Sequence, residues 1–182
     1  MAAPRTMRDV VFVDGVRTPF GKAGPQGLYA ETRADDLVIR CIRELLRRNP
    51  QLPPERVDEV AIAATTQIGD QGLTIGRTAA LLAGLPKTVP GYAIDRMCAG
   101  AMTAVTNVAG GIAMGAYDVA IAGGVEHMGR HPVPAEVLCH LQCGGHASCA
   151  RSSSSTASAP PSARPARPAS TPRPAPTTSS SG

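Results

Sequence analysis

Aromatic residues are scarce in this 182-residue chain, which has three tyrosines, two phenylalanines and no tryptophan. They make up 3% of the sequence, whereas apolar residues as a whole make up 43%. A core of ordinary size must therefore be built from aliphatic and small side chains. Few aromatics also count against single-stranded nucleic-acid binding, which uses aromatic side chains as stacking platforms.

Long apolar runs are absent as well. No uninterrupted run approaches the about 18 residues that a membrane-spanning helix needs. The first residues, MAAPRTMR, lack the apolar stretch of a secretory signal. Five cysteines at irregular spacing do not suggest a disulfide framework, and a chain of this length can form a core without one. We therefore expect a cytoplasmic protein with reduced thiols and no membrane partner.

Positive charge is concentrated near one end of the chain, whose formal net charge is +4. Residues 1–134 carry 14 of the 18 Lys and Arg side chains and 13 of the 14 carboxylates, so this part is close to neutral. The excess lies in residues 135–182, where no aromatic side chain accompanies the arginines. Without stacking partners these arginines give only non-specific attraction, so we expect no nucleic-acid partner.

The residues after 134 differ in composition from those before them. Residues 151–182 contain only Ser, Pro, Ala, Thr, Arg and a final Gly. Such a segment buries too little apolar surface to offset the entropy of ordering it. We predict an incomplete domain at residues 1–134 and a disordered low-complexity tail at residues 135–182. The tail is either natural or the product of a shifted reading frame in DNA rich in G and C.

Strand and helix patterns alternate through the first part. Short β-branched and aliphatic runs predict strands at residues 10–15, 60–65, 92–95 and 119–124. Helical spacing or runs of small residues predict helices at residues 35–49, 74–83 and 98–114. The alternation implies parallel strands joined by right-handed helical crossovers, so the predicted fold class is α/β.

The third predicted helix consists almost wholly of small residues and has no bulky or charged face. Each glycine inside a helix costs roughly 1 kcal/mol relative to alanine, so close packing must compensate. We therefore predict a buried small-residue helix between sheets. Its first residue is Cys98, which follows a predicted strand almost directly.

Cys98 is either a packed structural thiol or a nucleophile. Free cysteine is often buried as a small hydrophobic residue. At a helix start, however, unpaired N–H groups favour an anion, and Arg96 adds positive charge nearby. The same N–H groups are suited to an oxyanion. The residues alone leave both roles open for Cys98, whereas Cys41 lies on the apolar stripe of an amphipathic helix and is expected to be structural.

Three segments resemble landmarks of the thiolase family, the acetyl-CoA acyltransferases, in their usual order and spacing. They are DGVRTPFGK at 14–22, DRMCAGAMTAV at 95–105 and VAIAGGVEHMG at 119–129. The resemblance covers about residues 7–133 and implies the N-terminal half of a thiolase. The ending GGVEHMGRHPV is most similar to the 3-ketoacyl-CoA thiolases of fatty-acid β-oxidation. One departure is Asp95, where many members carry Asn.

The resemblance implies acyl transfer in two steps through a thioester on Cys98, the catalytic nucleophile. It implies an acyl-CoA substrate, coenzyme A as co-substrate and no permanently bound cofactor. A homo-oligomer is typical of the family, with β-oxidation enzymes as further partners. The family's Gly-His-Pro histidine, its Asn-Glu-Ala-Phe asparagine and its second catalytic cysteine have no match here. We therefore expect the chain alone to be inactive.

Two other functions stay open. A β-ketoacyl synthase-like condensing enzyme would share the fold and a nucleophilic cysteine, although the RTPFG and EHMG segments count against it. A non-catalytic fragment of the thiolase fold is the second. A C-x3-C-x2-H-x2-C pattern at residues 139–149 offers zinc ligands, but its spacing fits no knuckle, so we expect no metal. His127 and His131 are interpreted as loop histidines.

Overall fold

The computed structural model describes residues 6–134. The helices of this part, α1, α2 and α3, span Ala34–Arg48, Ile75–Ala83 and Gly100–Ala113. The strands β1, β2 and β3 span Glu59–Ala63, Gly91–Ile94 and Ala120–Gly124. Short 3₁₀ turns lie at Pro54–Arg56, Gly69–Gln71 and Met97–Ala99. Within residues 6–134, no helix has the length and apolar character needed to cross a membrane.

The strands form a parallel sheet in the order β2-β1-β3. In the central strand, Val60 is opposite Gly91 of β2 and Ile121 of β3. Each connection between strands includes a helix, as parallel pairing requires. The predicted α/β class and the parallel arrangement are confirmed, and the helices and these three strands begin and end within about two residues of the predicted limits.

The sheet separates two apolar clusters. Because side chains alternate along a strand, Val60 and Ile62 join one cluster while Ala61 and Ala63 join the other. The first cluster contains buried residues of α1 and α2, and the second contains residues of α3. The described residues therefore form three layers, with α1 and α2 on one side of the sheet and α3 on the other.

Helix α3 packs against the sheet along a stripe of small residues. Its buried positions recur at helical spacing and are Gly100, Ala104, Val108, Gly111 and Ala113. The opposite face is exposed in the described part of the chain, where Met102 has 70% of its surface accessible. The small residues therefore bring the helix close to the sheet on one side, and residues 6–134 leave the other side uncovered.

The strand predicted at residues 10–15 is wrong, because the segment forms no strand and is largely exposed. Phe12 is 81% accessible. Within the segment, Asp14 accepts a hydrogen bond from Asn49 at the end of α1, and just before it the Arg8 N–H donates to the Ala113 carbonyl at the end of α3. β-branched composition alone does not make a strand, since a strand also needs a ladder partner.

Candidate active site

Cys98 lies in the 3₁₀ turn Met97–Ala99, directly before α3, and its side chain is exposed. The predicted helix start is therefore displaced by two residues. The preceding residue, Met97, has a φ of 43°, a left-handed conformation that costs energy for a bulky side chain. Such strain is found at functional sites, where the surrounding structure imposes it. Here it lets the chain leave β2 and present Cys98 at the carboxyl edge of the sheet.

Close contacts hold the start of α3 against the sheet. A Cβ atom on Gly100 would lie 2.8 Å from the Cβ atom of Ala63, so only glycine fits at this position. A Cβ atom on Gly124 would lie 3.1 Å from the Cβ atom of Ala101. The residues that follow Cys98 therefore rest directly on the ends of β1 and β3.

Arg96 is bound to the first turn of α3. Its Nη1 donates a hydrogen bond to Oγ1 of Thr103 over 3.1 Å, and that hydroxyl donates to the carbonyl oxygen of Ala99 over 2.9 Å. This arrangement fixes a positive charge beside the turn that contains Cys98.

Cys98 opens into a cleft with a volume of about 660 Å³. This is within the range of roughly 300–1,000 Å³ that small-molecule sites occupy. The walls are mostly apolar and come from the N-terminal segment, α1, the strand ends and the loop after β3. The charged side chains among the lining residues are Arg17, Lys22 and Glu126. The cleft therefore offers apolar surface and a few polar groups beside a nucleophile.

Cys41 lines the same cleft but is partly buried. Burial raises the pKa of its thiol, and a hydrogen bond from the backbone of Thr18 opposes this only in part. At neutral pH a smaller fraction of the Cys41 thiol is therefore ionised than in a solvent-exposed, unperturbed cysteine. This agrees with its expected structural role, and Cys98 is the better candidate nucleophile.

His127 is buried at the edge of the cleft, and both of its ring nitrogens have backbone partners. Nδ1 accepts a hydrogen bond from the Arg130 N–H over 3.2 Å, and Nε2 lies 2.8 Å from the carbonyl oxygen of Tyr29. With these partners Nδ1 is the acceptor and Nε2 is the donor. His127 therefore joins two loops and has no free nitrogen to act as a base.

His131 pairs with the buried carboxylate of Asp70, which also lies 3.1 Å from Nε of Arg130. Burial by itself would raise the pKa of Asp70. The hydrogen bond from His131 and the positive charges of His131, Arg130 and Arg33 outweigh burial and lower that pKa overall. The interpretation of both histidines as loop residues agrees with these contacts, which join the loop after β3 to the turn Gly69–Gln71.

Glu126 and Gln71 were not singled out by the sequence patterns. Glu126 lies two residues beyond the end of β3 and lines the cleft, and Gln71 is fully buried beside it. A polar residue just beyond a parallel strand was an available signal for Glu126, because ligands bind at that edge of an α/β sheet. Gln71 gave no such signal, since its burial depends on packing between distant loops.

Metal ligands do not cluster in the part of the chain that the structure describes. No group of three or more His, Cys, Asp or Glu side chains there could hold a metal ion. The zinc-like pattern at residues 139–149 and the predicted tail lie outside the described residues.

Comparisons with known proteins agree on one family. The family model described as thiolase, N-terminal domain, matches residues 10–152. The chain is 39% identical over 127 residues to a 3-ketoacyl-CoA thiolase of Aliivibrio salmonicida, covering 70% of this chain and 33% of that protein. It is 44% identical over 126 residues to a 3-oxoadipyl-CoA/3-oxo-5,6-dehydrosuberyl-CoA thiolase of Escherichia coli, covering 69% and 31%.

A solved structure gives the same result. The chain superposes on the crystal structure of the Bacillus anthracis acetyl-CoA acetyltransferase with a TM-score of 0.63 and 35% sequence identity. That match covers 68% of this chain and 30% of the other. The chain therefore spans about a third of the length of the curated relatives it matches.

Proposed function

Because this chain belongs to the thiolase family, we propose that it contributes the nucleophile of a thiolase-type acyltransferase, with Cys98 as the residue that carries the acyl group. The observation that supports this most is the position of Cys98. It is exposed, it lies in a strained turn at the carboxyl edge of a parallel sheet, and it opens into a cleft of about 660 Å³.

The proposed reaction has two steps. The Cys98 thiolate attacks the 3-keto carbon of a 3-ketoacyl-CoA, the bond between C2 and C3 breaks, and the departing carbanion takes a proton to become acetyl-CoA. Free CoA then gives up its thiol proton, which balances the proton taken up in the first step, and its sulfur attacks the resulting thioester, releasing the shortened acyl-CoA and returning the electron pair to Cys98. A covalent intermediate divides one difficult cleavage into two easier steps.

The substrate class within the family has two candidates. A 3-ketoacyl-CoA of fatty-acid β-oxidation is the first, supported by relatives named 3-ketoacyl-CoA thiolase. A substrate whose acyl chain ends in a carboxylate is the second, supported by relatives named beta-ketoadipyl-CoA thiolase. The cationic side chains of Arg17 and Lys22 in the cleft favour this second candidate, since each could pair with a terminal carboxylate.

We further propose that the isolated chain forms the thioester without turning over. Acylation needs a thiolate and a nearby thioester, whereas turnover also needs a positioned acid and base, each worth about 10²- to 10⁴-fold. The family motifs that supply those groups do not occur in the 182 residues. The predicted domain boundary after residue 134, the homo-oligomer and the cytoplasmic location stay predictions.

Acylation can be tested by incubating the purified chain with millimolar acetyl-CoA and measuring its intact mass. We expect one acetyl adduct, which peptide mapping assigns to Cys98. The Cys98→Ala variant should remain unmodified, and the Cys41→Ala variant should react like the wild type. An adduct on Cys41, or the same adduct in Cys98→Ala, would show that Cys98 is not the acyl acceptor.

Turnover and substrate class need a second assay. The chain is offered acetoacetyl-CoA or 3-oxoadipyl-CoA together with free CoA, and loss of the substrate is followed. We expect no steady turnover of either substrate. If the cations select a terminal carboxylate, intact-mass measurements should show that 3-oxoadipyl-CoA acylates Cys98 faster than acetoacetyl-CoA does. The variants Arg17→Gln and Lys22→Gln should remove that preference. Sustained turnover above the Cys98→Ala level would contradict the proposed need for further groups.

A further inference from the structure

Side chains continue the connection between β1 and β3 beyond the ends of these strands. The last backbone contact is the hydrogen bond from the Val125 N–H to the Ala63 carbonyl, 2.9 Å long. Further along, the Thr65 N–H donates to Oε2 of Glu126, also over 2.9 Å. The Glu126 carboxylate therefore takes the place of the next acceptor in the ladder.

The Gln71 side chain bonds to both loops that follow these strands. Its Nε2 donates to the Thr66 carbonyl oxygen over 2.9 Å and lies 3.2 Å from Oε1 of Glu126, while its Oε1 accepts a hydrogen bond from the His127 N–H. The side chain is fully buried, so an unmade hydrogen bond there would be costly. Gln71 thus fixes the loop after β1 to the loop after β3.

The turn that holds Cys98 rests on the same strand ends. Gly100 packs against Ala63, and Ala101 packs against Gly124. Ala63 is also the residue that accepts the last backbone hydrogen bond between the strands. If the ends of β1 and β3 move apart, the surface that supports the start of α3 changes, and the position of Cys98 changes with it.

We propose that Gln71 and Glu126 are positioning residues that set the reactivity of Cys98 by fixing the spacing of these strand ends. The acyl-transfer part of this inference rests on the proposed function. Neither side chain is assigned a chemical step. Gln71 is buried, and both carboxylate oxygens of Glu126 already accept hydrogen bonds from protein groups.

An exchange of the two side chains separates positioning from charge. Gln71→Glu places two carboxylates against each other. In Glu126→Gln, one of the two acceptor oxygens at position 126 becomes an NH₂ group, which then faces the N–H of either Gln71 or Thr65. The double variant restores opposed donors and acceptors. Its amide at position 126 can accept from the Thr65 N–H and donate to the carboxylate at position 71, whereas at Thr66 the donated hydrogen bond is replaced by a contact between two acceptor oxygens. The single variants change the charge beside the cleft in opposite directions, but both disturb the spacing.

The readout is the rate at which acetyl-CoA acylates Cys98, expressed per folded molecule as judged by circular dichroism. Misplacing a reacting group by about 1 Å can reduce a rate by on the order of 100-fold. We therefore expect each single variant to react at least about tenfold more slowly, and the double variant to react faster than either single variant without reaching the wild-type rate, because its contact with Thr66 stays unfavourable. Val57→Ala controls for lost stability. Val57 is buried just before the start of β1 and does not line the cleft, so this variant should keep the wild-type rate.

Three results would overturn the inference. Effects of opposite sign in the two single variants would show that charge alone acts on Cys98. Unchanged rates with lowered melting temperatures would show a purely structural role. If Gln71→Glu does not fold, Glu126→Gln decides, and a wild-type rate in that variant rejects positioning.

A failure of the proposed function gives a different result, which is that acetyl-CoA does not acylate the wild-type chain. In that case the rate of Cys98 alkylation by iodoacetamide is compared between the wild type, the two single variants and the double variant. Slower alkylation in both single variants with partial recovery in the double variant would support the positioning role, and any other pattern would reject it.

Discussion

Three non-glycine residues within residues 6–134 have backbone angles that L-amino acids rarely adopt. Leu73, Thr74 and Met97 have φ values of 51°, 52° and 43°. Leu73 and Thr74 immediately precede α2, and Met97 immediately precedes Cys98. Local strain therefore occurs where the chain leaves the sheet edge and enters a helix, and at Met97 it adjoins the candidate nucleophile.

The two described cysteines should differ in their reactivity. We expect iodoacetamide at pH 7 to modify Cys98 well before Cys41, because Cys98 is exposed and Cys41 is partly buried with a raised pKa. A raised pKa leaves less thiolate at a given pH, so Cys41 should become more reactive as the pH rises. Peptide mass spectrometry at timed intervals measures both rates, and equal rates would contradict this assignment.

Relief of strain at Leu73 should stabilise the fold. The left-handed conformation costs a non-glycine residue roughly 1–2 kcal/mol, and the Leu73 side chain is almost fully exposed. Glycine removes this cost but loses more backbone entropy on folding, so we expect Leu73→Gly to raise the free energy of unfolding by a net amount of about 0.5–1 kcal/mol. Leu82→Gly, the same change inside α2, should lower it by about 1 kcal/mol or more. Urea unfolding measures both, and a loss of stability in Leu73→Gly would refute the argument.

Helix α3 shows how the packing of one element sets the position of a reactive group. Its glycines are not equivalent. Gly100 faces Ala63 at the start of the helix, whereas a Cβ atom on Gly110 would have no heavy atom within 4 Å outside its own helix. The first glycine is required by close approach to the sheet, and the second is a weakness in an otherwise regular helix.

Alanine should therefore have opposite effects at these two positions. We expect Gly110→Ala to stabilise the chain by about 0.5–1 kcal/mol, because alanine loses less backbone entropy in a helix. Gly100→Ala should destabilise it, by about 1–3 kcal/mol as for other overpacked sites, and should slow alkylation of Cys98. Thermal unfolding and iodoacetamide labelling check the pair. A stabilising Gly100→Ala variant would show that α3 can move from the sheet without cost.

At the scale of the whole described molecule, two apolar clusters are complete and several apolar side chains remain uncovered. The most exposed of these are Val11, Phe12, Val13, Phe20, Leu73, Met102 and Met114. Exposed apolar patches on this scale mark interaction surfaces or aggregation risks. Among the ion pairs of the described residues, those of Asp70 have the most buried carboxylate, and they join two loops.

The contribution of Asp70 should depend on pH. Its pKa is lowered in the folded chain, so its stabilisation is present above the unfolded aspartate pKa of about 3.9 and is lost as the pH falls through the folded value. We expect Asp70→Asn to lower the free energy of unfolding at pH 7 by about 1–3 kcal/mol. The difference between wild type and variant should shrink below about pH 4.

Urea unfolding at pH 7, 5 and 3 checks this prediction. Glu44→Gln is a suitable control, since the pKa of Glu44 is lowered by a hydrogen bond from Arg47, yet the pair is exposed. Its removal should change stability very little, because solvent screens an exposed ion pair. A constant difference between wild type and Asp70→Asn across this pH range would show that the Asp70 charge contributes nothing.

Much of the fold follows from local sequence patterns. Helix α1 has acidic residues in its first turn, arginines in its last turn and a buried apolar stripe, so its limits could be predicted. β1, β2 and β3 are short apolar runs separated by helices, which requires parallel pairing. Cys98 was identified because its place between a strand and a helix is itself a local property.

Tertiary structure decided the rest, because it depends on partners distant in the chain. Residues 10–15 have the composition of a strand but find no ladder partner among the described residues, so composition misleads there. Gln71 meets Glu126 and His127 only because parallel strands bring their carboxyl ends to one edge. The sequence by itself determined the three helices, the three paired strands and where the thiol lies. Only packing decided which loops meet beside that thiol, because those hydrogen bonds join groups 55 and 56 residues apart.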